Sequence, residues 1–362
     1  MASDANGTDG ASPAPDVEMG PARGQRRSRR FLLLGIMTTV VAVAAGLTVW
    51  AAGRGPEPDT SDGPPRSVPA QFAPGQQLFR LGHLPGPARL VRYDTEHDMH
   101  TMTVNGTAVG ASATEQEGGR SSAGEWHVEV RMAARGIDVH RYDREYDEEA
   151  GLSVPGDSVA PVQGRPAFQN ELPDGRVLSW EYAPDAWMRL TVHGVDRPEE
   201  ITRQVAEGVR WEETPLALPF RAVELPDDAV LGGVVLEWAE DGPLRAYSSY
   251  LLPGPIEDHQ SYLRYDLVVG LSTESLAGGR HSETDDVTVS GRAATAIDWR
   301  RSGEGIYRVA QLPGGCATCV AQLTVLSERA DTAVGGRDDA LELAASIRLV
   351  DGHEDPARWR PR

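Results

Sequence analysis

The chain contains no lysine, and only two of its 362 residues are cysteine. All 35 basic residues are arginine. Because arginine and lysine are not interchangeable at individual sites, the complete exclusion of one indicates the codon bias of a bacterial genome with high G+C content. The two cysteines, with no second cysteine or histidine pair at a matching spacing, exclude the common structural zinc motifs.

The sequence also lacks the motifs that identify common catalytic and cofactor sites. No Gly-x-Ser-x-Gly elbow, no Gly-x-Gly-x-x-Gly and no Walker-type phosphate loop occurs. We therefore predict no catalytic residues, no cofactor and no metal site. The alternative is an exported enzyme whose site, in the cleft between two domains, has no recognisable motif.

Positive charge is scarce outside the first thirty residues. The formal net charge of the whole chain is −19, and residues 1–30 contribute +1, which leaves −20 on the rest. Only 6% of the residues are aromatic. An acidic surface with few aromatic side chains argues against binding to nucleic acid or anionic lipid.

A single segment is apolar over a length that could cross a membrane. Residues 31–52 carry no charge, and five arginines lie in the eight positions just before them. A helix over this run would be roughly 33 Å long, close to the thickness of the hydrocarbon core of a bilayer. Because arginines favour the cytoplasmic side, the pattern predicts a single transmembrane helix that anchors the chain in the cell membrane, with its N-terminus in the cytoplasm and its body outside.

The same segment also resembles a cleavable export signal. Residues 28–33 are similar to a twin-arginine signal, and residues 49–51 could precede a cleavage site, which would release a secreted protein. The apolar run is longer than the 7–15 residues typical of a signal core, which favours an uncleaved anchor.

Three segments poor in large apolar side chains complete the chain outside its body. Residues 1–30 form the predicted cytoplasmic tail, whose first 22 residues we expect to be disordered. Residues 53–71 are rich in proline and glycine and form a linker, and residues 351–362 form a polar tail.

The body is an internal duplication. At a constant offset of 141, Phe79-Arg80, Leu84-Pro85, Ala88 and Leu90 recur as Phe220-Arg221, Leu225-Pro226, Ala229 and Leu231. Two further groups recur in the same order, because residues 162–167 match residues 289–294 and residues 190–192 match residues 323–325. The pattern predicts two homologous domains, at residues 72–214 and 216–350.

Each half is predicted to consist of strands followed by one helix. Alternating apolar and polar residues predict strands at 90–93, 101–104, 126–132, 176–182 and 187–193, and in the second half at 234–238, 262–269, 294–299, 306–311 and 320–326. Helices are predicted at 198–211, with a capping box of Asp196 and Glu199, and at 338–348. We therefore predict an α+β fold, in which each domain is an antiparallel sheet with a C-terminal helix.

Cys316 and Cys319 are the only cysteines and lie three positions apart. In an exported protein such a pair is expected to form a disulfide bond, here at the tip of a predicted hairpin. The alternative is a redox-active Cys-x-x-Cys, which normally lies at the N-terminus of a helix. Strand patterns on both sides of the motif favour the structural bond.

Three other groups of residues could carry chemistry. Arg165 and Arg292 each follow a glycine at matching positions of the two halves and are candidates for a paired anion contact. His97 and His100 would share a metal ion on a helix but point to opposite faces of the predicted strand. Residues 143–149 hold five acids without the glycine and terminal glutamate of a calcium loop, which favours a solvated loop.

Taken together, these patterns predict a membrane-anchored bacterial envelope protein. Its exported region would bind an unknown protein or envelope component without catalysis, and would not bind nucleic acid. The duplication supports this expectation, because two similar units side by side create a cleft, and interfaces between domains favour ligand sites.

Overall fold

The computed structural model describes residues 65, 67–107, 125–141, 154–222, 224–239, 242–254, 265–272, 282–300, 306–313 and 319–351. All of these residues belong to one compact unit. Within them, the first half contributes β1 (Gln76–Leu81), β2 (Ala88–Glu96), β3 (Met99–Thr107), β4 (Glu125–Ala133), β5 (Asp157–Val162), β6 (Arg165–Leu172), β7 (Gly175–Ala183), β8 (Ala186–His193), α1 (Pro198–Glu207) and β9 (Val209–Pro215).

The second half repeats this order of elements. Its described strands and helices are β10 (Phe220–Arg221), β11 (Val230–Ala239), β12 (Gly242–Leu251), β13 (Leu267–Ser272), β14 (Ser282–Val289), β15 (Arg292–Arg300), β16 (Ile306–Pro313), β17 (Val320–Val325), α2 (Glu328–Val334), α3 (Arg337–Ala345) and β18 (Arg348–Leu349).

Fourteen of the described strands form one antiparallel sheet, which we call the large sheet. Its order is β14-β15-β16-β17-β13-β12-β11-β2-β3-β4-β8-β7-β6-β5. Counted outward from the centre, the order of the strands is the same in both halves. The first and last strands of each half form a separate ribbon, β1 with β9 and β10 with β18. The two halves meet where β2 pairs with β11, and we call this pairing the seam.

Each half has its own hydrophobic core on one face of the large sheet. Helix α1 packs against β7 and β8, and α3 packs against β16 and β17. Residues at matching positions are buried alike: Phe79 with Phe220, and Val209 with Ile347. In the first half the core also contains Trp126 and Trp180, whose exposed fractions are 1% and 0%.

The predicted α+β class is wrong, because the fold is mainly β. Within the described residues the only helices are three short ones of 10, 7 and 9 residues. The strand pattern had revealed only some of the strands, and the two predicted domains in fact share one continuous sheet. Residues 209–211, predicted as the end of the helix at 198–211, instead begin β9, because Val209–Pro215 pairs with the distant β1.

The ends of the helices also differ from the prediction. The capping box of Asp196 and Glu199 does not form, since the N-cap of α1 is Arg197, in a left-handed conformation and without a side-chain cap. The helix predicted at 338–348 corresponds to α3, which ends at Ala345, and Arg348 already belongs to β18. The sequence did not predict α2, which precedes α3. The two helices are separated by Gly335 and Gly336, whose φ angles of 85° and 89° are accessible to glycine.

The predicted transmembrane helix is not among the elements of the structure. No helix in the described ranges is long and apolar enough to span a bilayer. Residues 31–52, to which that prediction refers, lie outside those ranges, as do the predicted tail at 1–30 and most of the linker at 53–71.

Candidate functional site

The face of the large sheet opposite the two cores is polar, and we call it the polar face. Side chains alternate between the two faces of a strand. In β2, Val91 and Tyr93 enter the core, whereas Arg92 and Asp94 lie on the polar face. In β4, Val128 and Val130 enter the core, whereas Glu129 and Arg131 lie on the polar face.

Several side chains of the polar face are nearly inaccessible to solvent. The exposed fractions of Arg189, Thr191 and Glu237 are 5%, 9% and 9%. Burying a charge is costly unless it is paired. On the polar face, charged side chains pair with oppositely charged side chains of the same strand or of the adjacent strand.

Arg92 is at the centre of the charged groups at the seam. Its Nε lies 2.9 Å from Oδ2 of Asp94, and its Nη1 lies 3.7 Å from Oε2 of Glu237 on the neighbouring strand β11. A second pair joins Nη2 of Arg131 to Oε1 of Glu129 at 2.7 Å. The polar face near the seam therefore carries both signs of charge.

The environment of Asp94 favours its neutral form. Burial raises the pKa of the Asp94 carboxyl, and the charges of Glu237 and Glu129 add to the rise, while the charge and hydrogen bond of Arg92 oppose it. Oδ1 of Asp94 is buried and has no hydrogen-bond partner in the described part of the chain. A buried carboxyl oxygen without a partner is a group that a ligand could satisfy.

A cavity of about 220 Å³ opens at the seam beside these charges. Its lining includes Arg92, Asp94, Glu96, Thr101, Ser249 and Tyr265. The Tyr265 ring fits against β11 because that strand has Gly232 and Gly233 there. A Cβ added at Gly233 would lie 2.6 Å from Oη of Tyr265.

The internal repeat places its twofold axis next to this cavity. Asp94 pairs with Val235 across the seam, and their numbers differ by 141, the offset that relates Leu90 to Leu231. An element that faces its own counterpart lies on the symmetry axis. Asp94 and Val235 are therefore at the centre of the duplicated sheet.

Cross-strand pairing identifies the counterparts of the other polar residues. From Asp94 the pairing leads through Thr101 to Arg131 and Arg189. From Val235 it leads through Tyr247 to Gly270 and Gln322. Arg189 and Gln322 directly precede the matching segments 190–192 and 323–325, so the pairing aligns the same residues as the sequence identities.

This alignment reveals a difference between the halves. In the first half the polar face carries Arg92, Asp94, Glu129, Arg131 and Arg189, and the second half has Gly233, Val235, Val268, Gly270 and Gln322 at the corresponding positions. The core positions stay apolar in both halves. The charges are therefore concentrated on the first half and at the seam.

The structure does not bring Arg165 and Arg292 together. Each follows the turn of a hairpin, β5–β6 or β14–β15, whose central residues Gln163 and Gly164, or Ser290 and Gly291, have positive φ. The two hairpins lie at opposite ends of the large sheet. The inner strands of the large sheet lie between the two hairpins, each about 4.8 Å from the next. Arg165 and Arg292 are therefore too far apart to contact one anion.

Cys319 is buried and disulfide-bonded. Cys316, its predicted partner, lies outside the described residues, and so does the acidic run at 143–149. The predicted pairing of Cys316 with Cys319 therefore stays a prediction.

The two histidines of the His97-x-x-His100 motif do not converge. Nδ1 of His97, in the turn between β2 and β3, lies 3.3 Å from the backbone oxygen of Phe72. His100 is fully buried in the core, where its Nδ1 lies 3.2 Å from Oη of Tyr93. Within the described ranges, no group of three or more His, Cys, Asp or Glu residues is arranged to hold a metal ion.

Sequence reasoning missed the charged residues of the seam. The signal was the alternation in β2 and β4, where charged residues occupy the positions between core residues. A comparison of the chain with known proteins gives no match to a family model, to a curated protein or to a solved structure.

Proposed function

We propose that this chain is a binding protein that works outside the cytoplasm and recognises a polar protein segment or envelope component with the polar face at the seam. The apolar run at 31–52, behind its five arginines, supports export of the body. The acidic balance of the body and its scarcity of aromatic residues argue against nucleic acid as the ligand.

The difference between the two halves supports this proposal most directly. Val235, Val268 and Gly270 occupy the large sheet in the second half at positions where the first half has Asp94, Glu129 and Arg131. The same topology therefore forms without these charges. Buried and half-buried charges are costly to desolvate. Charges that the fold does not require, and that the fold must desolvate, are best explained by recognition of a ligand.

The nature of the groups at the seam indicates the chemistry of that ligand. In the cavity lining, Arg92 presents donors, Asp94 presents an acceptor oxygen, and Thr101 and Ser249 present hydroxyl groups. Glu237, beside Arg92 but outside this lining, adds a further acceptor. A ligand that offers both donors and acceptors, such as a polypeptide backbone with polar side chains, matches this set.

An enzyme that uses Asp94 as a general acid is the alternative. The raised pKa of Asp94 favours it, because catalytic acids often have perturbed pKa values. Its hydrogen-bonded neighbour is Arg92, however, and an arginine does not exchange protons at physiological pH. Binding therefore explains the group better than proton transfer.

Photo-crosslinking in the native cell tests the proposal. A photoreactive amino acid at Thr103, on the polar face between Arg92 and Glu129, should give a discrete adduct with a binding partner. The matched control places the same residue at Gln204, on the exposed side of α1. We expect the adduct from position 103 only, and we expect its loss when Asp94→Val and Glu129→Val introduce the residues of the second half.

Two outcomes would contradict the proposal. One is equal labelling from positions 103 and 204. The other is an adduct that persists in the Asp94→Val, Glu129→Val variant while circular dichroism shows that the variant is folded.

A further inference from the structure

Two histidines that are 66 residues apart in sequence face each other on the polar face. His127 of β4 is the direct cross-strand partner of His193 of β8. Their ring centroids are 6.1 Å apart and the rings are inclined by 44°. His193 packs over a glycine, because a Cβ added at Gly175 would lie 2.9 Å from Nδ1 of His193.

Both imidazoles are held in the same tautomer. Nδ1 of His127 lies 2.6 Å from Oδ1 of Asn105, and Nδ1 of His193 lies 3.0 Å from Oδ1 of Asp174. Amide and carboxylate oxygens accept hydrogen bonds, so each Nδ1 donates its proton. Each Nε2 then carries the lone pair, and neither Nε2 has a hydrogen-bond partner among the described residues.

This arrangement is typical of histidines that bind a metal ion. A ligating histidine usually donates its other ring N–H to a carboxylate or a carbonyl oxygen, which orients the ring and raises its basicity. Asn105 on β3, the neighbour of β4, and Asp174 in the β6–β7 turn hold the two Nδ1 atoms on opposite sides of the pair. The Nε2 edge of each ring is therefore left available for a metal ion.

The separation of the rings also fits a shared ion. With Zn–N distances of about 2.0–2.1 Å, two imidazoles on one tetrahedral or more open site have centroids about 5–6 Å apart. The observed centroid separation of 6.1 Å is close to this range.

We propose that Nε2 of His127 and Nε2 of His193 bind one zinc ion, with water completing its coordination. Among the described residues no group of three or more His, Cys, Asp or Glu could hold a metal ion, so His127 and His193 are the two ligands that this part of the chain supplies. Imidazole ligands suit zinc among the divalent metals. The two histidines do not line the cavity at the seam, although they share β4, β8 and the polar face with Glu129, Arg131 and Arg189.

The pair of histidines has no counterpart in the second half. In the second half Asp266 corresponds to His127, and Leu326 corresponds to His193. The correspondence follows from the alignment described above, in which Gly270 and Gln322 match Arg131 and Arg189. The site is therefore single.

Calorimetric titration of the purified full-length chain with zinc chloride tests the proposal. The wild-type chain should bind zinc. His127→Gln and His193→Gln should each lower the affinity for zinc at this site at least tenfold. His97→Gln is the matched control, since it removes a half-buried histidine of the same half, and it should bind like the wild type. Asp174→Ala should weaken binding about tenfold through loss of orientation at His193.

A second measurement does not depend on variants. Zinc should protect His127 and His193, but not His97, from acylation by diethyl pyrocarbonate in the wild-type chain, as read by peptide mass spectrometry. Zinc binding unchanged by both His→Gln substitutions would overturn the proposal. Equal acylation of His127 and His193 with and without zinc would overturn it as well.

Discussion

His100 makes the stability of the first half depend on pH. Its imidazole has no exposed surface, and its ring lies 4.8 Å from the ring of Phe72. Burial lowers the pKa of His100 to about 3. The backbone N–H of Leu78 donates to Oη of Tyr93, and the same Oη lies 3.2 Å from Nδ1 of His100.

The sign and the size of the effect follow from proton linkage. The unfolded chain binds a proton at His100 below a pKa of about 6.5, whereas the folded chain stays neutral there until the pH approaches 3. The free energy of unfolding therefore falls as the pH drops below 6.5. Between pH 7 and pH 5 this single group should remove about 2 kcal/mol of stability.

The assay is urea denaturation at pH 7 and pH 5, followed by circular dichroism, for the wild type and for His100→Phe. Phenylalanine keeps the ring in the core but cannot titrate. Other groups titrate in both proteins, so the difference between the two pH-dependent losses isolates His100. The wild type should lose about 2 kcal/mol more than the variant. Equal losses in the two proteins would refute the assignment of a buried neutral imidazole.

Three further substitutions have expected outcomes that urea denaturation can measure. Gly233→Ala should cost about 1–3 kcal/mol, because the added Cβ meets Oη of Tyr265 and the backbone oxygen of Thr95, which lies 2.8 Å away; an unchanged midpoint would contradict the close packing. Asp266→Asn should cost about 1–3 kcal/mol, because it removes the charge from the partly buried pair with Arg329, whose Nη2 lies 2.7 Å from Oδ2 of Asp266. Burial alone would raise the pKa of Asp266, but the hydrogen bonds and charge around it lower its pKa, so its contribution is present above pH 4 and is lost as the pH falls further; a pH-independent cost would contradict this. Asp94→Asn should not reduce stability at pH 7, since the raised pKa of Asp94 means that folding disfavours its charge; a loss above about 1 kcal/mol would contradict this.

Local pattern predicted part of the fold. The five strands predicted in the first half coincide with β2, β3, β4, β7 and β8, because each has one buried face and therefore alternates in hydrophobicity. The predicted helix at 198–211 includes the first three residues of β9, because the start of β9 is decided by pairing with β1 more than a hundred residues away. Such long-range pairing overrides local propensity.

The site was harder to predict than the fold. Alternation within β2 and β4 separates polar from core residues in each strand. Only the alignment of the strands shows that Arg92 and Glu129 lie on the same face, on either side of Thr103. His127 and His193 appear in the sequence as isolated histidines, and only the register of β4 with β8 makes them partners. Register is set by contacts across the whole sheet, and a single sequence does not reveal it.

The need to pair β2 links the stability of the fold to the position of the site. With one copy of the repeat, β2 would be a nine-residue edge strand with unpaired backbone groups, which promotes aggregation. Pairing with β11 removes this edge from both halves and places Asp94 and Val235 on the symmetry axis. The pairing of β11 with β12 is irregular between Leu231 and Gly233, and the cavity lies beside this irregularity. The duplication thus covers this edge of β2 and creates the recess at the same place, where Glu237 of the second half adds its charge to those of the first half.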